Sequence, residues 1–379
     1  MATSHARLRI GVAGLGTIAR TAHLPMLERR ADLFEIAAVS DLSPTAAARL
    51  GARYGVEEKH RHTDAGQMLA AGGLDAVLLL TSGSHGRLAA QALTAGVPVF
   101  CEKPLALTLA ETAELTALTA GDDTRLMVGY MKQYDPAVEH ALRELDRIGG
   151  PEAVHAVEVT VLHPSGDAQL AFAHLPAVTD VPAEVLAQVR ADDVALVRAA
   201  VGDDPGHQAL YRILVNSLSH DLSLLRMLTG TPSTVDHATT WRRGDLPEPS
   251  VEVAGSLPHG GRYQLRWHYL PDYPAYRETV TLHHERGTIE LVFPSPYLMN
   301  APTRLTTVTA GESGALRSAY TSVEEAFERE LAAFHAMVTE GRAPRTGVAA
   351  GTADLVTAQR IVRRHGEQAG VPAGGEAGA

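Results

Sequence analysis

The segment LRIGVAGLGTIA, residues 8–19, constrains the fold more than any other stretch. An apolar run ends in Gly14-Leu15-Gly16-Thr17-Ile18-Ala19 and leads into a helical pattern that reaches about Arg29. A buried strand followed at once by a glycine turn and a helix opens a βαβ unit, and the next hundred or so residues repeat the alternation. Strands are expected at LRIGVAG (8–14), FEIAAVS (34–40), LDAVLLL (74–80), VPVFCE (97–102) and RLMVGY (125–130), with helices between them. Near-continuous apolar strands spaced by helices imply parallel strands covered on both faces, a doubly wound α/β sheet.

From about residue 150 the period changes. AVHAVEVTVLH (153–163), VEVAGSL, GRYQLRWHYL, RETVTLHH and GTIELVF alternate apolar and polar residues, which predicts a mainly antiparallel open sheet with one face covered. Residues 164–209 form an irregular, partly helical insert, and YRILVNSLSHDLSLLRMLTG (211–230) reads as one long helix closed by Gly230. Helices are expected near 322–340 and 348–365, and the tail has the composition of a disordered end. The expected domains are therefore a dinucleotide-binding Rossmann domain over 1–130, an α+β domain for substrate binding and oligomerisation over 131–368, and a disordered tail over 369–379.

Composition narrows the partners. With 44 acidic against 33 basic residues, the net charge of -11 argues against broad binding to nucleic acid or to an anionic membrane. The one cysteine, Cys101, cannot form an internal disulfide and lies in a buried strand pattern. No secretory leader and no apolar run of membrane-spanning length is evident, so a cytoplasmic protein is expected. No set of His, Cys or carboxylate residues has metal-ligand spacing, and no metal is expected.

The glycine turn carries a specific chemistry. Gly14 permits the tight turn, Gly16 lets a pyrophosphate approach the backbone, and Ala19 lets helix pack on strand, while the amides around Thr17 and Ile18 at the helix start favour an anion. Asp41, at the end of the second strand, is placed to accept hydrogen bonds from an adenosine ribose, and no arginine or lysine adjoins it in sequence. NAD is therefore expected over NADP. Only three lysines occur, Lys59, Lys103 and Lys132. Lys103 follows an expected strand in Glu102-Lys103-Pro104, at the sheet edge where ligands of open α/β sheets bind, and an ammonium there can stabilise an alkoxide or, with a lowered pKa, take its proton. On the long helix, Asn216, His220 and Ser223 fall on one face, and imidazole titrates in the range that suits proton transfer.

GLGTIARTAHLP, the strand-end Ser40-Asp41, LDAVLLLTSGSH, ALTAGVPVFCEKPLALT and HDLSLLRMLTG, in this order, resemble the Gfo/Idh/MocA family of nicotinamide-dependent oxidoreductases. The resemblance implies hydride transfer between NAD(P) and a secondary alcohol or ketone of a sugar, cyclitol or related polyol, with Lys103 and His220 catalytic beside the nicotinamide. It places Thr81, Ser82 and His85 in the cofactor loop, with Glu102 beside Lys103, and it implies a homodimer or homotetramer. Asn216 stands where many members carry aspartate, and TSGSH is one residue shorter than the usual loop and lacks its proline. Asn216, Lys132, Tyr134, His163, His207 and Tyr211 are the candidate substrate contacts. Two other readings share these residues: a non-net-redox enzyme that recycles bound NAD in epimerisation, glycoside cleavage or elimination, and a catalytically silent NAD-binding regulator.

Overall fold

The computed structural model describes residues 7–120 and 122–379. Two compact units emerge, each assembled from separate stretches of chain. The first comprises the chain through Tyr130 together with Leu175–Leu196 and Phe327–Thr352, and the second comprises Met131–His174, Val197–Ala326 and Ala353–Ala379. The insert and the first C-terminal helix, read from sequence as parts of the second domain, thus lend residues to the first unit.

In the first unit, β1 (Leu8–Ala13), β2 (Phe34–Ser40), β3 (Arg61–His62), β4 (Ala76–Leu79), β5 (Val99–Glu102) and β6 (Leu126–Gly129) form a parallel sheet in the order β3-β2-β1-β4-β5-β6. This is the doubly wound sheet that the alternation predicts. The chain runs outward in one direction from β1 to β3 and in the other from β4 to β6, so the switch point lies between β1 and β4. Ile10, Val12, Leu78 and Phe100 are fully buried, as strands covered on both faces require. The two-residue β3 is too short to leave a periodic trace in sequence.

The second unit holds eight strands: β7 (Val154–His163), β8 (His237–Trp241), β9 (Ser250–Ser256), β10 (Arg262–Tyr269), β11 (Arg277–His284), β12 (Gly287–Phe293), β13 (Arg304–Gly311) and β14 (Gly314–Tyr320). Their order is β14-β13-β12-β11-β7-β10-β9-β8. All neighbours are antiparallel except β7 and β10, which run parallel. Alternation fixes which face is buried but not strand direction, so this pair was not legible. Val157, Val159, Val161, Leu265, Trp267, Val280, Leu282 and Leu291 make the covered face, each aliphatic side chain stabilising by roughly 1.5–3 kcal/mol.

The helix expected over 211–230 starts earlier and is not uniform. Asp204 caps it by accepting the His207 amide at 2.9 Å, Pro205–Ile213 is α-helical, Leu214–Leu218 is a π-turn, and Ser219–Thr229 resumes the α-helix. The tail, expected to be disordered, is packed instead. Arg363 Nε donates to the Ala377 carbonyl at 2.6 Å, Gln359 Nε2 donates to Glu376 at 2.7 Å, and Gly374 lies against Gly202. Its glycines permit that close backbone approach, and the partners that hold it lie in the preceding helix, which composition does not reveal.

Candidate active site

In the first unit the glycine turn sits at the switch point. Gly14 has φ 91° and a Cβ there would meet the Leu80 carbonyl at 2.7 Å, whereas a Cβ at Gly16 would meet nothing within 4 Å. Gly14 is thus required by the fold itself, and Gly16 faces open space through which a diphosphate can reach the backbone. Asp41 fastens this turn: Oδ2 accepts the Leu15 amide at 2.7 Å and Oδ1 accepts the Ser43 amide at 2.9 Å. Each oxygen keeps a lone pair for a ribose hydroxyl. These features fit a dinucleotide. The surroundings of Asp41 are less anionic than the sequence indicates, because Arg20 feels both Asp41 and Arg49 through charge. Burial and Arg49 pull the Arg20 pKa down, and Asp41 opposes them.

Lys103 is half-buried and precedes a cis peptide to Pro104. Glu102 is buried and does not present its carboxylate as a cofactor contact. One oxygen meets His23 Nε2 at 2.8 Å and the other accepts the Lys103 amide at 3.1 Å, so Glu102 positions the lysine's main chain. Burial pushes the Glu102 carboxyl up, but the His23 hydrogen bond and charge, with Lys103, bring it below the usual range. His85, also expected at the cofactor, is fully buried. Its Nδ1 lies 2.7 Å from the Pro104 carbonyl and its Nε2 lies 3.0 Å from the Thr81 carbonyl. Burial is the largest influence and lowers its pKa, and the ring serves to clamp the Thr81 loop to the Lys103-Pro104 loop. Thr81 and Gly83, with Ser82 exposed between them, remain at the carboxyl end of β4.

In the second unit, Asn216 lies within the π-turn and is exposed, and His220 is half-buried one turn further on. A π-turn widens the spacing between successive turns, and such turns are frequent at functional sites. Ser223 is not part of an open polar stripe, being fully buried with its hydroxyl donating to the His220 carbonyl at 2.9 Å.

Lys132, expected to touch substrate, is buried instead. Its ammonium lies 2.6 and 2.5 Å from the two Glu278 oxygens and 3.4 Å from Asp221, and it stands 5.1 Å from the Phe293 ring centre. Tyr276 donates to Glu278 Oε2 at 2.7 Å. Burial opposes the charge on Lys132, but Asp221 and Glu278 outweigh it and raise its pKa. Burial and Glu278 lift Asp221 well above the carboxylate range, while burial of Glu278 is overcome by Lys132 and its hydrogen bonds, which lower it. One proton on Asp221 therefore leaves a neutral cluster, the arrangement a dry interior favours.

His207 and Tyr211 are likewise interior, His207 against His365 with ring centres 5.6 Å apart and Tyr211 with no exposed surface. Tyr134 is buried as well. His163 is half-buried, with its ring centre 4.9 Å from that of Trp267 and 5.8 Å from that of Tyr276. Tyr276 in turn borders a cavity of about 400 Å³ that Tyr273, Arg277, Phe293 and Arg304 also line. Sequence reading missed Asp221 and Glu278. For Glu278 the signal was present: it shares strand parity with the core residues Val280 and Leu282.

A parallel sheet of this order, with a glycine turn and a carboxylate at its switch point, defines a dinucleotide-fold protein. Residues 8–130 match the model of the Gfo/Idh/MocA oxidoreductases, described as an oxidoreductase family with an NAD-binding Rossmann fold. The chain is 33% identical over 152 residues to inositol 2-dehydrogenase from Ralstonia nicotianae, covering 39% of this chain and 44% of that one. Inositol 2-dehydrogenase 1 from Saccharopolyspora erythraea is 34% identical over 154 residues, covering 40% and 45%. The chain thus spans less than half the length of the curated relatives it matches. The structure of an aldose-aldose oxidoreductase from Caulobacter crescentus, complexed with glycerol, is similar in fold with TM-score 0.71 and 21% identity, covering 96% of this chain and 98% of that one. Among the described residues, no helix is long and apolar enough to cross a membrane.

Proposed function

We propose that the protein is an NAD-dependent dehydrogenase or ketoreductase acting on a secondary alcohol or ketone of a cyclitol, sugar or related polyol. The observation that carries this reading is the turn at Gly14 and Gly16 tied to Asp41 through the Leu15 amide. The similarity to inositol 2-dehydrogenases supports a cyclitol as substrate. The amides of Gly16, Thr17 and Ile18 would hold the diphosphate, Asp41 the adenosine ribose, and Thr81 and Ser82 the nicotinamide half. Bound nicotinamide supplies the hydride acceptor, or the donor in the reverse direction.

The chain's own task is proton and hydroxyl handling. In the oxidative direction the Lys103 ammonium binds the reacting hydroxyl and favours its alkoxide, and His220 takes the proton. Asn216 orients a neighbouring hydroxyl but cannot act as a base, because an amide does not titrate in the usable range. A homo-oligomer is proposed from the family resemblance. The test is the absorbance of reduced nicotinamide with NAD and a panel of cyclitols and sugars, for the wild type and for Lys103→Ala and His220→Ala. Turnover by the wild type with a loss of about 10²–10⁴ in kcat for each variant is expected. Undiminished kcat in both variants would remove the assignment.

A further inference from the structure

The insert Leu175–Leu196 belongs to the first unit and approaches segments assigned above to the cofactor. Arg20 Nη1, one turn beyond Gly16, donates to the Pro176 carbonyl at 3.4 Å. A Cβ at Gly83, in the loop after β4, would stand 3.3 Å from Asp193 Oδ1. Between these points Asp180 reaches the start of the Pro44–Arg53 helix. Its Oδ1 accepts the Ser43 hydroxyl at 2.5 Å and its Oδ2 accepts the Thr45 amide at 2.8 Å. Ser43 is therefore shared by two carboxylates, with Asp41 on its amide and Asp180 on its hydroxyl.

We propose that Asp180 is a cofactor-specificity determinant: its carboxylate occupies the start of the Pro44–Arg53 helix, where the 2′-phosphate of an NADP-type dinucleotide would bind, and so restricts the site to dinucleotides with a free adenosine 2′-hydroxyl. This rests on the reading of the glycine turn as a dinucleotide site. The elements that would recognise a 2′-phosphate are otherwise present. A hydroxyl and an exposed amide at a helix start attract an anion, and Arg20 supplies positive charge within reach of Asp41, with Arg49 within charge range of Arg20. An internal carboxylate takes the donors first. Ser43 and then Thr45 hold the Asp180 carboxyl down at about 2, so it is an anion at any pH at which the protein would work. The strap reinforces the exclusion, because residues 175–196 carry four acids, Asp180, Glu184, Asp192 and Asp193, against the single Arg190. Asp180 is exposed, so it acts by occupancy and repulsion at the surface rather than through a buried network.

The test measures binding of NAD, NADP, AMP and 2′,5′-ADP by calorimetric titration to the full chain as wild type, Asp180→Asn and Asp180→Ala. Removing one negative charge and freeing two donors should tighten NADP and 2′,5′-ADP by about tenfold or more in Asp180→Ala. NAD and AMP should stay within about threefold, since they carry nothing to fill the vacated donors. Asp180→Asn, which keeps the shape and part of the hydrogen bonding, should give a smaller gain in the same direction. If the NADP-to-NAD affinity ratio stays at its wild-type value in both variants, even with a lowered melting temperature, Asp180 is only a helix cap and the proposal is wrong. If the wild type binds neither dinucleotide, the reading of the glycine turn fails first, and the proposal falls with it.

Discussion

Asp41 and Leu15 are joined across the ends of β2 and β1, the carboxylate accepting the amide at 2.7 Å. The same carboxylate accepts the Ser43 amide, so one side chain ties the glycine turn to the start of the next helix. Asp41→Ala removes both acceptors and is expected to cost about 1–3 kcal/mol in urea unfolding and to weaken NAD binding. Asp41→Asn keeps one acceptor and should fall between. Equal NAD affinity in Asp41→Ala and wild type would show that this carboxylate is a structural clip alone.

The two glycines of the turn should separate folding from binding. Gly14→Ala forces a Cβ onto the Leu80 backbone at positive φ, so a loss of about 2 kcal/mol or more is expected, visible as lowered expression and melting temperature. Gly16→Ala has open space around the new methyl and should melt within about 0.5–1 kcal/mol of wild type while losing dinucleotide affinity. Retention of full NAD affinity in Gly16→Ala would place the diphosphate elsewhere.

Much of this was readable in the chain because the determinants are local. Gly14, Gly16 and Asp41 follow strand ends by fixed offsets, and the doubly wound parallel sheet follows from the alternation of strands and helices. What could not be read depends on partners distant in sequence. His85 looks like a loop histidine until its nitrogens meet carbonyls at residues 81 and 104, and Glu102 looks available until His23, from the first helix, engages it. Lys132 drew attention as a rare lysine, yet its partners come from residues 221 and 278, which only the fold brings to it. The π-turn at Leu214–Leu218 has no compositional marker, so the stripe drawn at ideal helical spacing lost Ser223 to the interior.

The Lys132 cluster predicts opposite outcomes for two similar changes. Glu278→Gln removes the anion held against a buried ammonium and is expected to cost about 3–5 kcal/mol. Asp221→Asn resembles the protonated acid already favoured there and should be neutral or stabilising. The folded pKa of Asp221 is raised, so the folded state binds the extra proton. The wild type should lose stability as pH rises from the ordinary carboxylate range towards that raised value. Stability of Asp221→Asn relative to wild type should therefore grow with pH, as followed by urea unfolding from acid to mildly alkaline buffer. A constant difference would mean that Asp221 is ionised in the folded state.

Glu330 makes a parallel case in the first unit. It is fully buried, and neither carboxylate oxygen has a hydrogen-bond partner among the described residues. Burial, and then Glu102, lift its pKa well above the usual range. Its protonated form carries the stability, which declines as pH rises through the window above the unfolded value. Glu330→Gln should flatten that decline in thermal melts across the same buffers. A steeper decline in the variant would overturn this assignment.

The parallel pairing of β7 with β10 bears on how the chain comes together during synthesis. When β7 leaves the ribosome, neither β10 nor β11, its two neighbours, has yet been made, and roughly a hundred residues must follow before either arrives. The first unit waits longer still, for Phe327–Thr352. Neither unit is therefore a continuous stretch that could be excised and expressed alone, and a nascent chain carries unpaired strand edges late into translation, when holding chaperones matter most.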